Sequence, residues 1–187
     1  MRILAISGSL RAGSYNTALA RAAADVAPAG VEVELYDRLG ELPHFDADLE
    51  GVEPEPVHDL RTRIANADAV LFVTPEYNGS IPGALKNAID WASRPRGEAA
   101  LLNKTAAVAG ASTGQYGALW AQQDLRRMLG VAGARVVCPE LPISRAQDAC
   151  NESGDGPSAL VVERLRAHVA ELAHEAVPTA APVPVAA

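Results

Sequence analysis

The chain has 187 residues and a mass of 19.5 kDa, the size of one ordinary domain with a substantial core. Its formal net charge of −7 and pI of about 5.1, with no basic stripe, argue against non-specific nucleic-acid binding. Its apolar runs are far shorter than the roughly 20 residues that cross a bilayer, and its two cysteines, Cys138 and Cys150, form no CxxC pair. We therefore expect a cytoplasmic domain without a signal peptide, membrane helix, metal site or disulfide framework.

Strand-like and helix-like patterns alternate from the first residues onward. Residues 2–7 contain an unbroken apolar run from Ile3 to Ile6, typical of a strand that is buried on both faces. A helix is predicted at residues 17–27, with Ser14 or Asn16 as its N-cap. In residues 31–36 apolar and acidic side chains alternate, which indicates a strand with one solvated face.

The alternation continues through the rest of the chain. Residues 37–57, with three prolines and many acids, are predicted to form a long surface loop. The elements predicted after it are a helix at 58–66, a buried strand at 69–73, a helix at 83–92, a buried strand at 105–111, a helix at 118–129, a short strand at 135–137 and an amphipathic helix at 158–176. Residues 177–187 carry no charge and consist mostly of Ala, Pro and Val, so we expect a disordered tail.

Five strands separated by helices predict one α/β domain over residues 1–176. It has a doubly wound, five-stranded parallel sheet with helices on both faces. The second and fifth strands are the least apolar and favour the edges, which the order 2-1-3-4-5 provides. Ligands bind such sheets beyond the carboxyl ends of the strands, where the winding direction reverses. The loops at 8–17 and 74–82 are therefore expected to form the site.

The loop after the first strand contains groups that suit a terminal phosphate. It opens onto a helix N-terminus, where backbone N–H groups and the helix dipole attract anions. Its side chains provide four polar residues and one cation: Ser9, Ser14, Asn16, Thr17 and Arg11. The GxGxxG pattern of dinucleotide sites and the Lys-Ser/Thr pair of P-loops are both missing, which favours a phosphate monoester. The alternative is a plain helix cap with Arg11 in solvent.

The loop after the third strand is predicted to be a rigid turn. It contains the dipeptide Asn78-Gly79, and Pro75 and Pro82 bracket it. Such a loop suits a platform whose backbone meets the polar edge of a planar ring, with Tyr77 available for stacking. The alternative is an ordinary strand-to-helix connection.

Residues 8–16 and 75–91 together closely resemble the NADPH-dependent FMN reductase family, which includes chromate and quinone reductases and some azoreductases. The resemblance covers roughly residues 2–175 and implies a flavodoxin-like fold with FMN as cofactor. It assigns the FMN phosphate to Ser9, Arg11, Ser14, Tyr15, Asn16 and Thr17. It places the isoalloxazine beside Pro75, Glu76, Tyr77, Asn78 and Gly79 and, by a looser match, beside Ser112, Thr113 and Gly114.

The resemblance also implies a reaction. Hydride passes from NADPH or NADH to FMN, and the electrons pass on in a ping-pong cycle to free flavin, a quinone, an azo compound or chromate. Because the flavin carries the chemistry, no side chain is assigned as catalytic. Family members assemble as dimers or tetramers, so we expect a homo-oligomer. The alternatives are a flavodoxin-like electron carrier or FMN-binding module without NAD(P)H turnover and, more distantly, a non-flavin α/β binding protein.

The chain departs from the family pattern after the third loop. Relatives usually carry a Gly pair and an Arg before the residue matching Gln122, whereas this chain has Ala118 after Gly117 and Trp120 at the Arg position. We expect Trp120 to pack on its helix. Among other residues, His44 is expected to face water, Trp91 to lie in the core or an interface, and Cys138 to be buried and unreactive.

Overall fold

All strand pairings in the computed structural model, which describes residues 1–149 and 157–176, are parallel. The strands are β1 (Arg2–Ser7), β2 (Glu32–Tyr36), β3 (Ala69–Thr74), β4 (Thr105–Ala111), β5 (Arg135–Val136) and β6 (Leu141–Ile143). Their order is β2-β1-β3-β4-β5, so the predicted order 2-1-3-4-5 is confirmed.

The sheet has one more strand than the sequence predicts. Strand β5 pairs with the beginning of β4, and β6 pairs with the end of the same strand, at Ala109 to Ala111. The two short segments thus share one edge of the sheet. Strand β6 has only three residues with Pro142 at its centre, and proline is tolerated in strands mainly at such an edge.

In the described part of the chain, six α-helices accompany the strands. They are α1 (Tyr15–Asp25), α2 (Glu55–Asn66), α3 (Gly83–Ala92), α4 (Leu119–Val131), α5 (Ala146–Ala149) and α6 (Ala159–Glu175). Helix α2 begins three residues before the predicted position because Pro56 lies in its first turn, where a missing N–H costs nothing. Two 3₁₀ turns, Leu39–Glu41 and Ala47–Leu49, interrupt the segment predicted as a loop.

The helices cover both faces of the sheet, and each face has its own core. One core joins Leu4 and Ile6 of β1 to helices α2, α3 and α4, and the other joins Ile3 and Ala5 to α1 and α6. The predicted stripe of α6 is buried, with Leu165 0% exposed. No helix in the described residues is long and apolar enough to cross a membrane. Residues 177–187 and Cys150 lie outside the described residues.

The segment between β2 and α2 is held against α3. The indole N–H of Trp91 donates to the carbonyl of Pro43 at 2.8 Å, and the Asn87 amide donates to the same oxygen at 2.9 Å. Arg61, which is 5% exposed, donates to the Trp91 carbonyl and to the Glu53 carboxylate. Trp91 is fully buried, so it belongs to the core.

Helix α6 carries a buried imidazole. His168 is 5% exposed, and its Nε2 has no hydrogen-bond partner among residues 1–149 and 157–176. Burial is the main cause that lowers the pKa of His168 to about 4. A hydrogen bond with the Val108 backbone partly opposes this shift, and repulsion from Arg126 and Arg164 adds to it. The folded protein thus holds this side chain neutral.

We expect His168 to make stability depend on pH. Because the pKa is depressed in the folded state, the unfolded chain takes up the proton first, and stability falls as pH drops from about 6.5 to about 4. The loss from this residue is roughly 3 kcal/mol at full effect. Urea unfolding at pH 7 and pH 5 should show about 2 kcal/mol of this loss, because His168 stays mostly neutral in the folded state at pH 5.

The substitution His168→Gln should flatten that pH dependence. His174→Gln, which removes an exposed imidazole from the same helix, is the matched control and should retain it. An equal pH dependence in the wild type and in H168Q would contradict the assignment.

Candidate functional site

Three loops meet at the carboxyl edge of the sheet. The first loop, residues 8–14, follows β1; the second, residues 75–82, follows β3; and the third, residues 112–118, follows β4. Because β1, β3 and β4 are adjacent and parallel, the three loops lie side by side. All the residues predicted to bind the cofactor lie in these loops or in the first turn of α1.

The first loop ends in an N-capped helix. Ser14 caps α1, and its hydroxyl accepts from the Thr17 N–H at 3.4 Å. The Thr17 hydroxyl is hydrogen-bonded to that of Ser7 at 2.8 Å. The N–H groups of Tyr15 and Asn16, in the first turn, have no acceptor within the helix. They provide an electropositive end to the loop.

A cation lies beside that helix end. The guanidinium carbon of Arg11 is 5.6 Å from the centroid of the Tyr15 ring, and the Arg11 side chain is exposed. No carboxylate pairs with Arg11 in the described part of the chain. The backbone N–H of Arg11 donates to the Ser9 hydroxyl oxygen at 3.4 Å, so the guanidinium is not used in this contact. Positive charge at this loop is therefore available for an anion.

Asn16 joins the first loop to the third. Its amide N–H donates to the Ala111 carbonyl at 2.9 Å, and its amide oxygen accepts from the Ala111 N–H at 2.8 Å. The side chain is 3% exposed. The predicted phosphate ligand thus has its side chain committed to the end of β4, while its backbone N–H stays in the first turn of α1.

The second loop is the tight turn that its sequence predicts. Tyr77 and Ser80 form an antiparallel bridge, with the Tyr77 N–H donating to the Ser80 carbonyl at 2.9 Å. Asn78 and Gly79 both have positive φ, 53° and 76°, as a type I′ turn requires. The tip is exposed and Pro75 at its base is buried.

Glu76 connects the second loop to α4. Its Oε2 accepts from the N–H groups of Trp120 and Ala121 at 3.1 and 3.2 Å. The N-cap residue of α4, Ala118, has no side-chain oxygen, so the carboxylate of Glu76 takes over the capping role and interacts favourably with the helix dipole. Glu76 was predicted to border the flavin, and its Oε2 is engaged in this cap.

The third loop is fixed from two sides. The Ser112 hydroxyl accepts from the Ala118 N–H at 3.2 Å. The buried Gln122 donates to the Gly117 carbonyl at 3.0 Å and accepts from the Leu141 N–H of β6 at 2.9 Å. A side chain at Gly117, where φ is 59°, would lie 2.6 Å from the backbone of β6.

The tip of the third loop is open to solvent. Thr113 and Gly114 are exposed there. Tyr116 and Trp120 lie close together, with ring centroids 5.0 Å apart and an angle of 42° between the planes. They are 50% and 51% exposed. Trp120, predicted to pack on its helix, contacts Tyr116 and leaves about half of its surface exposed, and the sequence analysis did not single out Tyr116.

Several other predicted residues lie away from these loops. His44 is exposed between β2 and α2, as expected. Cys138 is half-buried, and desolvation raises the pKa of its thiol to about 12, so it stays protonated at neutral pH. A groove of about 660 Å³ lies between α3 and α4, also outside the three loops.

Comparisons with known proteins identify the family. The family model for NADPH-dependent FMN reductases matches residues 1–148. The chain belongs to this family. It is 43% identical over 173 residues to an NAD(P)H-dependent FMN reductase of Pseudomonas aeruginosa, covering 89% of this chain and 92% of the relative. It is 44% identical over 126 residues to a 2-hydroxy-1,4-benzoquinone reductase of a Burkholderia species, covering 67% and 68%.

A similar solved structure supports this family assignment. The flavoenzyme NAD(P)H:(acceptor) oxidoreductase of Paracoccus denitrificans superposes with a TM-score of 0.82 at 36% identity, covering 94% of this chain and 99% of that one. The predicted family, flavodoxin-like fold, FMN cofactor and NAD(P)H-dependent oxidoreductase class of this family member are therefore confirmed.

We expect the Glu76 cap to stabilise this reductase-family domain. Glu76→Ala should lower the free energy of unfolding by about 1 kcal/mol, the usual effect of losing an N-cap. Glu76→Gln keeps an acceptor oxygen but loses the negative charge, so it should lower the free energy of unfolding by about half as much. Urea unfolding without added flavin measures both.

Glu163→Ala removes an exposed carboxylate from α6 and is the control, with an expected change within about 0.5 kcal/mol. Equal stability of E76A and the wild type would show that the Glu76 contact with α4 is energetically neutral.

Proposed function

We propose that the three loops bind FMN and that the chain passes electrons from NAD(P)H to a small quinone-like acceptor. The observation that carries the proposal is the first loop. There Arg11, without a carboxylate partner in the described residues, lies beside the electropositive N-terminus of α1. This donor set suits a dianionic phosphate monoester, which accepts several charge-assisted hydrogen bonds.

In this proposal the phosphate is bound mainly by backbone and hydroxyl groups. The N–H groups of Tyr15 and Asn16 and the hydroxyls of Ser9 and Ser14 surround it, and Arg11 adds charge. The Thr17 hydroxyl, bonded to Ser7, and the Asn16 amide, bonded to Ala111, hold the cradle in shape. The residues present fit a terminal phosphate.

In the same proposal, the second and third loops border the isoalloxazine ring system of FMN. Pro75 to Gly79 and Ser112 to Gly114 supply backbone amides and carbonyls at the carboxyl ends of neighbouring strands. When bound, FMN accepts the hydride and delivers the electrons. The protein then has to bind, orient and partly shield the reactants from water, which the fixed turn at Asn78-Gly79 supports.

The names of similar enzymes support a small-molecule electron acceptor. Enzymes named quinone reductase, from Pseudomonas putida and Escherichia coli, are 43% and 40% identical to this chain over 128 and 139 residues. A flavodoxin of Pseudomonas aeruginosa, with a TM-score of 0.57 at 21% identity, shares the fold. We therefore favour a reductase over an electron carrier.

The assembly and location follow from the same proposal. We propose a cytoplasmic homo-oligomer, in which a second copy packs along the groove between α3 and α4. The residues that line this groove include Val131, 83% exposed, and Leu102, 42% exposed, whose apolar surface a second copy would bury. The cytoplasm supplies the reduced nicotinamide. Light scattering on the full chain distinguishes a monomer, dimer and tetramer.

The reaction is tested by mixing the FMN-loaded protein with NADPH without oxygen. The flavin absorbance near 450 nm should disappear much faster than that of free FMN in the same buffer. With 2-methyl-1,4-naphthoquinone as acceptor, double-reciprocal lines at several acceptor concentrations should be parallel, because the two half-reactions are separate. Reduction no faster than in buffer would contradict the reductase and favour the electron carrier.

The phosphate assignment predicts a selective effect of Arg11. The wild type should bind FMN far better than riboflavin, which lacks the phosphate. Arg11→Ala should weaken FMN binding by about tenfold, the effect of losing one charge-assisted hydrogen bond, and leave riboflavin binding nearly unchanged. Titrations by flavin fluorescence measure both ligands.

Arg21→Ala is the matched control, because it removes an exposed arginine from α1 away from the first loop. It should bind FMN within about twofold of the wild type. Equal affinities of the wild type for FMN and riboflavin would rule out the phosphate cradle.

A further inference from the structure

The exposed rings of Tyr116 and Trp120 form a preformed aromatic surface, which we call the aromatic pair. Both residues are half-exposed although burial of an aromatic ring is strongly favourable. Their positions are fixed from the backbone, because the N–H of Trp120 donates to Glu76 and the Ala118 N–H between them donates to Ser112. An ordered, solvent-facing aromatic surface is a characteristic of binding sites.

The aromatic pair lies next to the second loop. Glu76 contacts the first turn of α4 directly, and its neighbour Tyr77, at the exposed turn, is itself 52% exposed. The pair therefore adjoins the loop that borders the ring system in the proposed function. It is placed to contact a molecule that approaches the flavin from solvent.

The charges around the aromatic pair do not favour an anion. Trp120, Asp124 and Arg127 follow one another along α4 at intervals of four and three residues, so they share one side of the helix. The Asp124 carboxylate accepts from Ser80 at 2.7 Å and from Arg127 at 3.3 Å. Together with Glu76, this surface carries two carboxylates and one guanidinium, a net charge of −1.

We propose that the aromatic pair selects neutral, planar aromatic acceptors by stacking, and that Trp120 is the residue on which this selectivity depends. This inference rests on the proposed function. The balanced reaction is NAD(P)H + H⁺ + quinone → NAD(P)⁺ + hydroquinone. The C–H bond of the nicotinamide breaks, its electron pair reduces the quinone, and two O–H bonds form. The pair takes no part in these bond changes and only binds the quinone.

The first test compares two acceptors that differ in shape and charge. For the FMN-loaded enzyme with saturating NADPH, we determine KM for 2-methyl-1,4-naphthoquinone and for ferricyanide, an anion that cannot stack. Trp120→Ala should raise the ratio of the quinone KM to the ferricyanide KM by about five- to tenfold. Trp120→Phe should retain most of the preference, since it keeps a ring.

The second test measures binding without turnover. The chain has two tryptophans, and Trp91 is fully buried. Naphthoquinone should therefore quench the fluorescence of Trp120 in the oxidised protein along a saturable curve. The Trp120→Phe variant should lose this saturable component. Leu160→Ala removes an exposed apolar side chain from α6 and is the matched control, which should match the wild type in both tests.

Three results would overturn the inference. The first is an unchanged KM ratio in W120A. The second is a rise in the W120A variant confined to its KM for NADPH, which would assign the aromatic pair to the nicotinamide. The third is dissociation of the W120A oligomer in sedimentation, which would show that the aromatic pair is a contact between subunits. Failure of the proposed function is distinct, because NADPH would then reduce the FMN bound to the wild-type protein no faster than free FMN, whereas the fluorescence titration needs no NADPH.

Discussion

The two hydrogen bonds between the Asn16 side chain and the backbone of Ala111 set the geometry on which the site depends. They connect the first turn of α1 to the end of β4 across 95 residues of sequence, and they are buried. An unpaired amide in this position would cost roughly 1 to 3 kcal/mol, so the pairing strongly favours a single arrangement of the first and third loops. The proposed phosphate cradle takes its shape from that arrangement.

Two further side chains also connect a loop of the site to a neighbouring segment. Glu76 links the second loop to α4, and Gln122 links Gly117 to the edge strand β6. Each uses a side-chain oxygen or amide to satisfy backbone groups of a neighbouring loop. Loops that are already ordered lose little conformational entropy when a ligand binds, which raises affinity without adding contacts to the ligand.

The sequence predicts those features that depend on local patterns. The apolar runs of β1, β3 and β4, the bounds of α3 and the Asn78-Gly79 turn all follow from residues close together in the chain. The order of the strands follows from the weak edge patterns and the rules for parallel crossovers. The family follows from two motifs.

The remaining features depend on contacts between distant residues. The family resemblance assigns Asn16 to the FMN phosphate and Glu76 to the flavin ring, and it does not reveal that each side chain also bonds to backbone 95 or 44 positions away. The exposure of Trp120 depends on how α4 starts beside the second loop. Strand β6 has too few residues, and a central proline, for any pattern to reveal it.

The two edges of the sheet also limit how the molecule meets other chains. At one edge, β2 exposes Glu32 and Glu34, and at the other β5 and β6 are short and interrupted, with Pro142 lacking a backbone donor. Charges, short length and proline are the features that protect a sheet from pairing with a foreign strand. Growth of the sheet from molecule to molecule, and the aggregation that follows from it, is thus disfavoured at both edges, and association is left to the helical surfaces.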